Sequence, residues 1–236
     1  MGLLKAIFKA AFQPSINRAR GAIGEKRVAS KIRSADWLGE EQRVINDLTL
    51  VDDRGKSHQI DHVVIRPNGV FCIETKSHAG RIYGGERDDT WLQVLPGEKH
   101  RFLNPIRQNR SHIYHLNRVF EGRCKIHSVI VMAKNNAENI SVPYVVNLRD
   151  LPAYLSRFDD GTYYTEGEMD AIEQCILSEK SHISKREHIE NIRETRRETE
   201  SGICPRCGGT LKRRRGAYGE FYGCANYPSC KFTKKI

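Results

Sequence analysis

Residues 59–76 of the chain read QIDHVVIRPNGVFCIETK, and they decide the fold of its larger part. The runs 59–66 and 70–76 are short, apolar and rich in β-branched residues, which is typical of β-strands. Pro67-Asn68-Gly69 between them is a turn sequence. We therefore expect a β-hairpin whose two strands lie side by side in a sheet.

Three charged residues of this hairpin are candidates for hydrolytic chemistry. Asp61 lies at the start of one strand and Glu74 at the end of the next, so the hairpin brings the two carboxylates close together. Lys76 follows Glu74 by two positions and shares its strand face. Two carboxylates beside a lysine can hold Mg²⁺ and position an attacking water, because the metal polarises a phosphate and lowers the pKa of the water. From the spacing alone, solvated strand-end residues are the alternative.

Helices and strands alternate in the sequence around this hairpin. Asn104-Pro105 is a typical helix start, and the apolar centre of 125–133 is typical of a buried strand. The predicted helices are 17–34, 106–120, 148–157 and 166–177, and the further predicted strands are 41–51, 91–95 and 125–133. This order indicates a layered α/β domain.

Size and charge allow one ordinary domain, one small domain and an anionic partner. The chain has 236 residues, of which 39% are hydrophobic, so most of its length can bury a core. The formal net charge is +10, and residues 202–236, with eight basic residues and one acid, contribute +7 of it. We expect this basic tail to bind nucleic acid, the commonest anionic partner.

The cysteines and the N-terminus bear on the compartment. The seven cysteines are odd in number, and three of them are scattered in apolar surroundings, so we expect a reducing cytoplasm rather than a disulfide framework. No run approaches the ~20 apolar residues of a transmembrane helix. Residues 1–16 predict an amphipathic docking helix, with contact to a membrane surface as the less favoured alternative. Residues 178–201 are rich in alternating charges and predict a linker, which a solvated helix could form.

Four cysteines near the C-terminus have the spacing of a structural zinc site. Cys204 and Cys207 form a C-x2-C knuckle followed by two glycines, and Cys224 and Cys230 form a C-x5-C pair sixteen residues further on. Two intervening residues let both sulfurs of a knuckle reach one tetrahedral ion, and glycine permits the tight turn. A piece of 35 residues cannot build a sufficient core, so we expect Zn²⁺ to hold it together.

The residues of this ribbon resemble those of a known family. The segment CPRCGGTLKRRRGAYGEFYGCANYPSCKFTKKI, which begins at Cys204, looks like the zinc ribbon repeated at the C-terminus of bacterial type I DNA topoisomerases. The resemblance covers the whole ribbon and implies binding to single-stranded DNA. Aromatic faces stack on bases while basic side chains neutralise phosphates. The expected nucleic-acid contacts are Arg213, Arg214, Arg215, Tyr218, Phe221, Tyr222 and Lys231, and only two or three of the ribbon's aromatic rings should be free to stack.

Residues 20–120 resemble a second family through four motifs in order. These are Gly21-Ala-Ile-Gly24-Glu25, the strand around Asp61, Ile73-Glu74-Thr75-Lys76, and Asn104-Pro-Ile-Arg-Gln108. Together they resemble the nuclease-related domain (NERD), a branch of the PD-(D/E)XK nuclease superfamily. The proline that precedes the aspartate in that superfamily is Ile60 here.

This second resemblance implies a restriction-endonuclease-like core, a mixed central sheet flanked by helices. It implies that Asp61 and Glu74 hold catalytic Mg²⁺, that Lys76 is the lysine of the motif, and that Glu25 is a helix-borne acid. It also places Gln108 in the catalytic set.

The leading hypothesis is a cytoplasmic, Mg²⁺-dependent DNA endonuclease with an appended zinc ribbon. The alternatives are a non-catalytic DNA-binding accessory protein and a ribbon that docks on another protein. The expected organisation is an N-terminal helix over 1–16, a nuclease-like domain over 17–177, a charged linker over 178–201 and a zinc ribbon over 202–236. No small-molecule cofactor is expected.

Overall fold

A computed structural model describes residues 21–34, 41–216 and 219–235, which fall into two compact units. The core unit holds the described residues as far as Leu48 together with Ile60–Ser178, and the ribbon unit holds Thr49–Gln59 and the described residues from Glu179 onward. The predicted N-terminal helix, residues 1–16, lies outside the described residues.

The helices and strands follow in a mixed order along the chain. They are α1 (21–34), β1 (Arg43–Val51), β2 (Ser57–Arg66), β3 (Gly69–Lys76), β4 (Arg81–Tyr83), β5 (Thr90–Leu95), β6 (Glu98–Leu103), α2 (Pro105–Val119), β7 (Ile126–Met132), β8 (Val145–Asn147), α3 (Leu151–Arg157), α4 (Glu166–Ser178), α5 (Lys185–Glu200), β9 (Leu211–Gly216), β10 (Gly219–Cys224) and β11 (Thr233–Lys235). No helix in the described part of the chain is long and apolar enough to cross a membrane.

A five-stranded mixed sheet with the order β1-β2-β3-β7-β8 forms the centre of the fold. The turn after Arg66 makes β2 and β3 antiparallel neighbours, as the hairpin prediction requires. β3 then pairs in parallel with β7, and β7 in parallel with β8. The parallel pairing needs a long crossover, which β4 to β6 and α2 supply. The predicted mixed α/β fold is confirmed.

The two faces of the sheet bury separate apolar clusters because strand side chains alternate. One cluster joins α1 and α3 to the sheet, for example through Val28, Phe71 and Leu155. The other lies against α2 and includes Trp91 and Ile106. Helices therefore flank both faces, and the side chains at the end of β3 are divided between an α1 side and an α2 side.

A second, three-stranded sheet with the order β4-β5-β6 was only partly expected from the sequence. β5 was predicted as 91–95. β4 has three residues, and β6, with the sequence EKHRFL, is mostly exposed and polar, so neither strand has an apolar period to signal it. Side chains from the inner face of this sheet, Ile82 and Trp91, complete the cluster against α2.

The start of α2 follows the sequence signal closely. Asn104 accepts a hydrogen bond from the backbone of Ile106 as the N-cap residue, with Pro105 in the first turn. Its side-chain amide donates to the carbonyl oxygens of Gly85 and Asp88. Asn104 therefore ties the beginning of α2 to the β4–β5 loop.

The ribbon unit contains more ordered structure than a bare ribbon. The segment predicted as a charged linker includes α5, which starts with a capping box formed by Ser184 and Glu187. Lys56 lies 2.7 Å from Glu194 and 3.0 Å from Glu198, so α5 is joined by ion pairs to the turn between β1 and β2. The predicted domain boundaries stay predictions.

Gly24 allows α1 to approach the end of β3. A Cβ at this position would lie 2.7 Å from the Cβ of Ser77, closer than carbon atoms can pack. A Cβ at Gly21, on the same helix, would meet nothing nearer than a side-chain oxygen of Glu25 at 3.8 Å. The second glycine of the Gly-x-x-Gly-Glu motif is thus a contact residue, and the contact brings Glu25 to the end of β3.

We predict opposite effects for alanine at these two glycines. Gly24→Ala should lower the free energy of unfolding by about 1–3 kcal/mol, because the added methyl group overpacks the contact. Gly21→Ala should be neutral or stabilising, since alanine favours the helix and has room. Thermal or urea unfolding measures both, and adding Ser77→Gly to Gly24→Ala should restore the loss. Equal effects at the two positions would contradict the close contact.

Candidate active site and zinc ribbon

The register of the β2–β3 hairpin places the two predicted carboxylates side by side. His62 pairs with Ile73, so the next positions along the two strands are Asp61 and Glu74. Oδ2 of Asp61 accepts a hydrogen bond of 2.8 Å from the backbone N–H of Thr75. The side chain of Asp61 is therefore held against the strand that carries Glu74.

Glu74 is the most buried charged group of the site, with 2% of the residue exposed. Nζ of Lys76 lies 2.5 Å from its Oε1 atom, and Nε2 of His112 lies 3.2 Å from its Oε2 atom. Burial alone would raise the pKa of the Glu74 carboxyl, but the charge of Lys76 and the contact with His112 outweigh it and lower the pKa. Glu74 is thus ionised in its buried position.

Asp61 responds in the opposite way. Burial raises the pKa of its carboxyl well above the ordinary value, and the negative charge of Glu74 raises it further. Glu25 on α1 adds to the same effect, which shows that it lies near enough to act on Asp61. Two neighbouring carboxylates without sufficient positive charge favour a bound cation.

Lys76 joins the hairpin to α2. Its Nζ atom donates to Oε1 of Gln108 at 3.0 Å in addition to its contact with Glu74. The structure therefore brings together the predicted residues Glu74, Lys76 and Gln108, with Asp61 on the neighbouring strand and Glu25 on the adjacent helix.

The residues present fit a hard divalent cation. Mg²⁺ is usually held by one or two carboxylates and keeps the remaining positions for water and phosphate oxygens. Asp61 and Glu74 supply two carboxylates, and a bound cation would offset the burial and the negative charge of Glu74 that raise the pKa of Asp61. Among the described residues, neither Asp61 nor Glu74 belongs to a group of three His, Cys, Asp or Glu residues whose ligand atoms all lie within 4.8 Å of one another, so the protein would supply few ligands.

His112 and Asn109 are site residues that the sequence did not reveal. His112 lies one helical turn after Gln108, on the α2 face that contacts β3. Asn109 is fully buried, and its side-chain amide donates to the carbonyl oxygen of Cys72 and to Oγ of Ser128 at 2.8 Å. The available signal was the run of polar residues at i, i+1 and i+4 on a helix predicted to pack against the sheet.

Histidines near the motif are not gathered into the site. His62 lies on the opposite face from Asp61, since neighbouring residues of a strand alternate, and its Nδ1 atom is 2.7 Å from Oδ1 of Asn46. Burial lowers the pKa of His62 to about 4. His78 stacks on Phe102, with ring centroids 4.0 Å apart, so it contributes to packing.

In the ribbon unit, the four predicted cysteines converge on one point. Their sulfur atoms all lie within 4.8 Å of one another. Sγ of Cys204 is 3.7 Å from that of Cys230, and Sγ of Cys207 is 3.3 Å from that of Cys224. A tetrahedral Zn²⁺ with Zn–S bonds of about 2.3 Å separates its sulfurs by ~3.8 Å, so the cluster fits zinc.

Backbone hydrogen bonds shape the ribbon around this cluster. The N–H of Cys204 donates to the carbonyl oxygen of Gly209 at 2.7 Å, which closes the knuckle. Burial raises the pKa of Cys204 and Cys230, the latter to about 11. These two thiols are therefore protonated without metal, and zinc binding must release their protons. Leu211 and Phe232 pack beside the cysteines and are the main apolar contribution to this small core.

The ribbon's sheet presents basic and aromatic side chains on its two faces. Residues that pair across antiparallel strands share a face, so Arg213 and Tyr222 lie on one side, and Arg214 and Phe221 on the other. Arg213 forms an ion pair with Glu220, and Arg214 donates to the carbonyl oxygen of Cys224. Arg215 and Lys231 are exposed, and Tyr218 lies outside the described residues.

The described aromatic rings of the ribbon differ in exposure. Tyr222 is 36% exposed and Tyr227 is 62% exposed. Phe221 lies so close to Gly216 and Gly223 that a Cβ at either position would meet its ring at 3.1 Å. Phe221 therefore packs on the sheet, while Tyr222 and Tyr227 are exposed to solvent.

A mixed sheet with paired carboxylates beside a lysine, followed by a four-cysteine ribbon, defines a two-part protein with a nuclease-like site and a zinc-binding tail. Comparison with known families supports both parts. Residues 20–133 match the nuclease-related domain (NERD). Residues 201–236 match the topoisomerase DNA binding C4 zinc finger. The first match points to nuclease-like chemistry and the second to DNA binding.

Relatives match parts of the chain. An uncharacterized protein of Bacillus anthracis is 38% identical over 94 residues, which cover 40% of this chain and 43% of that protein. DNA topoisomerase 1 of Methanocaldococcus jannaschii is 57% identical over 37 residues, or 16% of this chain and 5% of the enzyme. DNA topoisomerase 1 of Helicobacter pylori is 53% identical over 32 residues, which cover 14% of this chain and 4% of that enzyme. The chain thus spans less than half the length of these relatives. No solved structure matches it.

We predict one zinc ion per chain, lost when a ligand is removed. Cys224→Ser should abolish stoichiometric zinc and unfold the ribbon, because so small a piece depends on metal for its stability. Elemental analysis measures the metal, and limited proteolysis should show a core unit that stays resistant. Cys175→Ser, a change at a cysteine of α4, is the matched control and should retain zinc. A zinc-free wild-type protein would overturn the ribbon assignment.

Proposed function

We propose that this protein is a Mg²⁺-dependent DNA endonuclease that hydrolyses phosphodiester bonds and binds single-stranded DNA through its zinc ribbon. The observation that carries the proposal is the cluster of Asp61, Glu74, Lys76 and Gln108 at the end of the hairpin. Each member of this cluster was expected from the motifs, and the cluster lies within the NERD match. The cytoplasmic location of the protein also stays a prediction.

Asp61 and Glu74 would hold the metal in this proposal. When bound, Mg²⁺ would polarise the phosphate and lower the pKa of an attacking water. The backbone N–H of Thr75 orients Asp61, and His112 orients Glu74, so both carboxylates have defined positions before a substrate arrives. Burial of Glu74 keeps bulk water from competing for its oxygens.

Lys76 supplies the positive charge at the reacting phosphate. Its ammonium group is held between Oε1 of Glu74 and Oε1 of Gln108, which limits the orientations of a long side chain. A cation fixed in this way can position the attacking water and stabilise the negative charge that develops on the phosphate oxygens. Gln108 is a positioning residue for Lys76, and Glu25 supports the carboxylate pair from α1.

The ribbon would hold the substrate by stacking and charge. Tyr222 and Tyr227 are exposed, so unpaired bases could stack on their rings, whereas a duplex hides its bases. The basic strand β9 and Lys231 would neutralise phosphates. Tethering a DNA-binding ribbon to a nuclease raises the local concentration of substrate at the catalytic site.

The contact between Lys76 and Glu74 also favours a second candidate, a non-catalytic DNA-binding accessory protein. An ammonium group at 2.5 Å neutralises Glu74 without any metal, so the fold could persist after loss of turnover. A DNA cleavage assay separates the two candidates, because an accessory protein would bind DNA without cleaving it.

We predict that cleavage depends on the carboxylate pair and on added Mg²⁺. Asp61→Asn and Glu74→Gln should each reduce the rate at least ~10³-fold by removing metal ligands, and Asp61→Asn keeps the acceptor for Thr75. Lys76→Ala should lower kcat by ~10²–10³-fold without abolishing metal binding. The assay measures cleavage of single- and double-stranded DNA in buffer with and without Mg²⁺; a strong chelator is avoided because it would also remove zinc.

A surface carboxylate provides the control. Glu138→Gln, at an exposed position, should cleave like the wild type, and Glu25→Ala should show a loss between the two extremes. Equal cleavage by wild type and Asp61→Asn would mean that the activity belongs to a contaminant. Binding without cleavage by both would favour the accessory protein.

We predict that the ribbon prefers single strands. In the Asp61→Asn background, Tyr222→Ala and Tyr227→Ala should each weaken binding to a single-stranded oligonucleotide by ~5–100-fold, because stacking contributes about 1–3 kcal/mol per base. Binding to a duplex of equal length should change much less. Tyr163→Ala, at a 75% exposed tyrosine of the core unit, is the matched control. Fluorescence anisotropy measures all three, and equal losses on both substrates would contradict stacking.

A further inference from the structure

The outer face of the β4–β6 sheet has an unusual composition. Paired residues in the register share a face, so Arg81, Val94 and Lys99 form one row across the three strands. Tyr83, Leu92 and Arg101 form the next row on the same face. Thr90 and Leu103, which pair with each other, form the last row of this face. Three of these eight positions are cationic and none is acidic.

The outer-face residues of β4 and β6 are exposed, whereas the centre of the inner face is buried. Ile82 and Trp91 of the inner face are fully buried against the core. On the outer face, Arg81, Lys99 and Arg101 are all exposed, and Leu103 is 75% exposed. A sheet face that the core does not need, and that carries only cations and neutral side chains, is suited to an anionic partner.

Two acids next to this face are already partnered elsewhere. In the β4–β5 loop, Glu86 lies 2.5 Å from Arg110 and accepts a hydrogen bond from Tyr144. Asp89 forms an ion pair with Arg107. Because α2 neutralises these carboxylates, they do little to cancel the positive field of the outer face.

The sheet follows the candidate catalytic strand directly. Lys76 ends β3, and Arg81 begins β4 five residues later. Five residues span at most about 18 Å, or the rise of roughly five nucleotides along one DNA strand. Along β6, Lys99 and Arg101 are two residues apart, a separation of ~7 Å, close to twice the rise per nucleotide. The spacing of these cations suits consecutive contacts to one phosphate backbone.

We propose that this outer face binds the phosphate backbone of the nucleic acid next to the bond that is cut, as a contact surface separate from the ribbon. Arg81, Lys99 and Arg101 contact phosphates, and Tyr83 and Leu92 contact sugars or base faces between them. The surface deepens the proposed nuclease function and rests on it for the substrate. It predicts a footprint that extends from Lys76 across β4 to β6.

The test uses the full chain in the Asp61→Asn background, with Lys99→Ala and Arg101→Ala combined. Each phosphate contact contributes about −0.9 to the slope of log Kobs against log salt concentration on duplex DNA. Removing two contacts should make the slope ~1.8 less steep and weaken binding at least ~10-fold in low salt. Acetylation of Lys99 in the parent chain, followed by mass spectrometry, should be suppressed by DNA.

A double variant at Arg123 and Arg149 is the matched control. Both are exposed arginines of the core unit, and their change to alanine removes the same charge. It should leave the slope within ~0.3 of the parent chain, since neither residue lies on the β4–β6 sheet. Unchanged affinity and slope in the Lys99, Arg101 variant, or unprotected Lys99, would overturn the proposal, as would equal losses in the control.

The binding test of the outer face gives a result that does not depend on whether the protein cleaves DNA. Suppose that the Lys99, Arg101 variant changes the salt-dependence slope but the chain with Asp61 intact cleaves no DNA. This result would support the phosphate-binding face and contradict the nuclease function. If the chain with Asp61 intact cleaves DNA but the Lys99, Arg101 variant leaves the slope unchanged, the nuclease function would be supported and the phosphate-binding face contradicted. If both stand, the same pair of substitutions in the active protein should raise KM with little change in kcat.

Discussion

The buried carboxylate of Glu74 constrains everything around it. An ionised group with 2% exposure needs compensating contacts, and the protein provides them from two directions, with the ammonium group of Lys76 on the same strand and the imidazole ring of His112 on α2. Meeting this requirement fixes the distance between α2 and β3 and orders Gln108 through Lys76. The charge arrangement that makes the site suitable for chemistry is also the one that allows Glu74 to be buried.

Asp61, the second carboxylate of the site, lacks the compensating contacts that Glu74 has. Its raised pKa follows from burial beside a carboxylate that has taken the available positive charge. A protein built only for stability would have little reason to retain a second acid there, since an asparagine could accept the same hydrogen bond from Thr75. The unfavourable burial of Asp61 therefore supports the proposed metal-binding role of the cluster.

The ribbon unit solves a different problem, which is how to order a piece with almost no core. The four cysteines, Leu211 and Phe232 are the apolar residues grouped there, so stability depends on metal. Around it, Glu198 of α5 lies 2.5 Å from Arg54 of the turn between β1 and β2, and Arg54 also donates to the carbonyl oxygen of Cys204 at 3.2 Å. The segment that the sequence predicted as a linker therefore takes part in the structure of its own unit.

The sequence by itself determined the parts of this protein that depend on local spacing. The hairpin, its Asp61 and Glu74, the start of α2 and the cysteine ligand set follow from turn chemistry, strand alternation and ligand geometry, which act over a few residues. Tertiary structure alone decided which distant side chains meet. His112 contacts Glu74 and α1 contacts Ser77 because packing brings them together, and no short pattern encodes such pairs. The polar strand β6 became visible only through its pairing with β5, since its exposed side chains carry no apolar period.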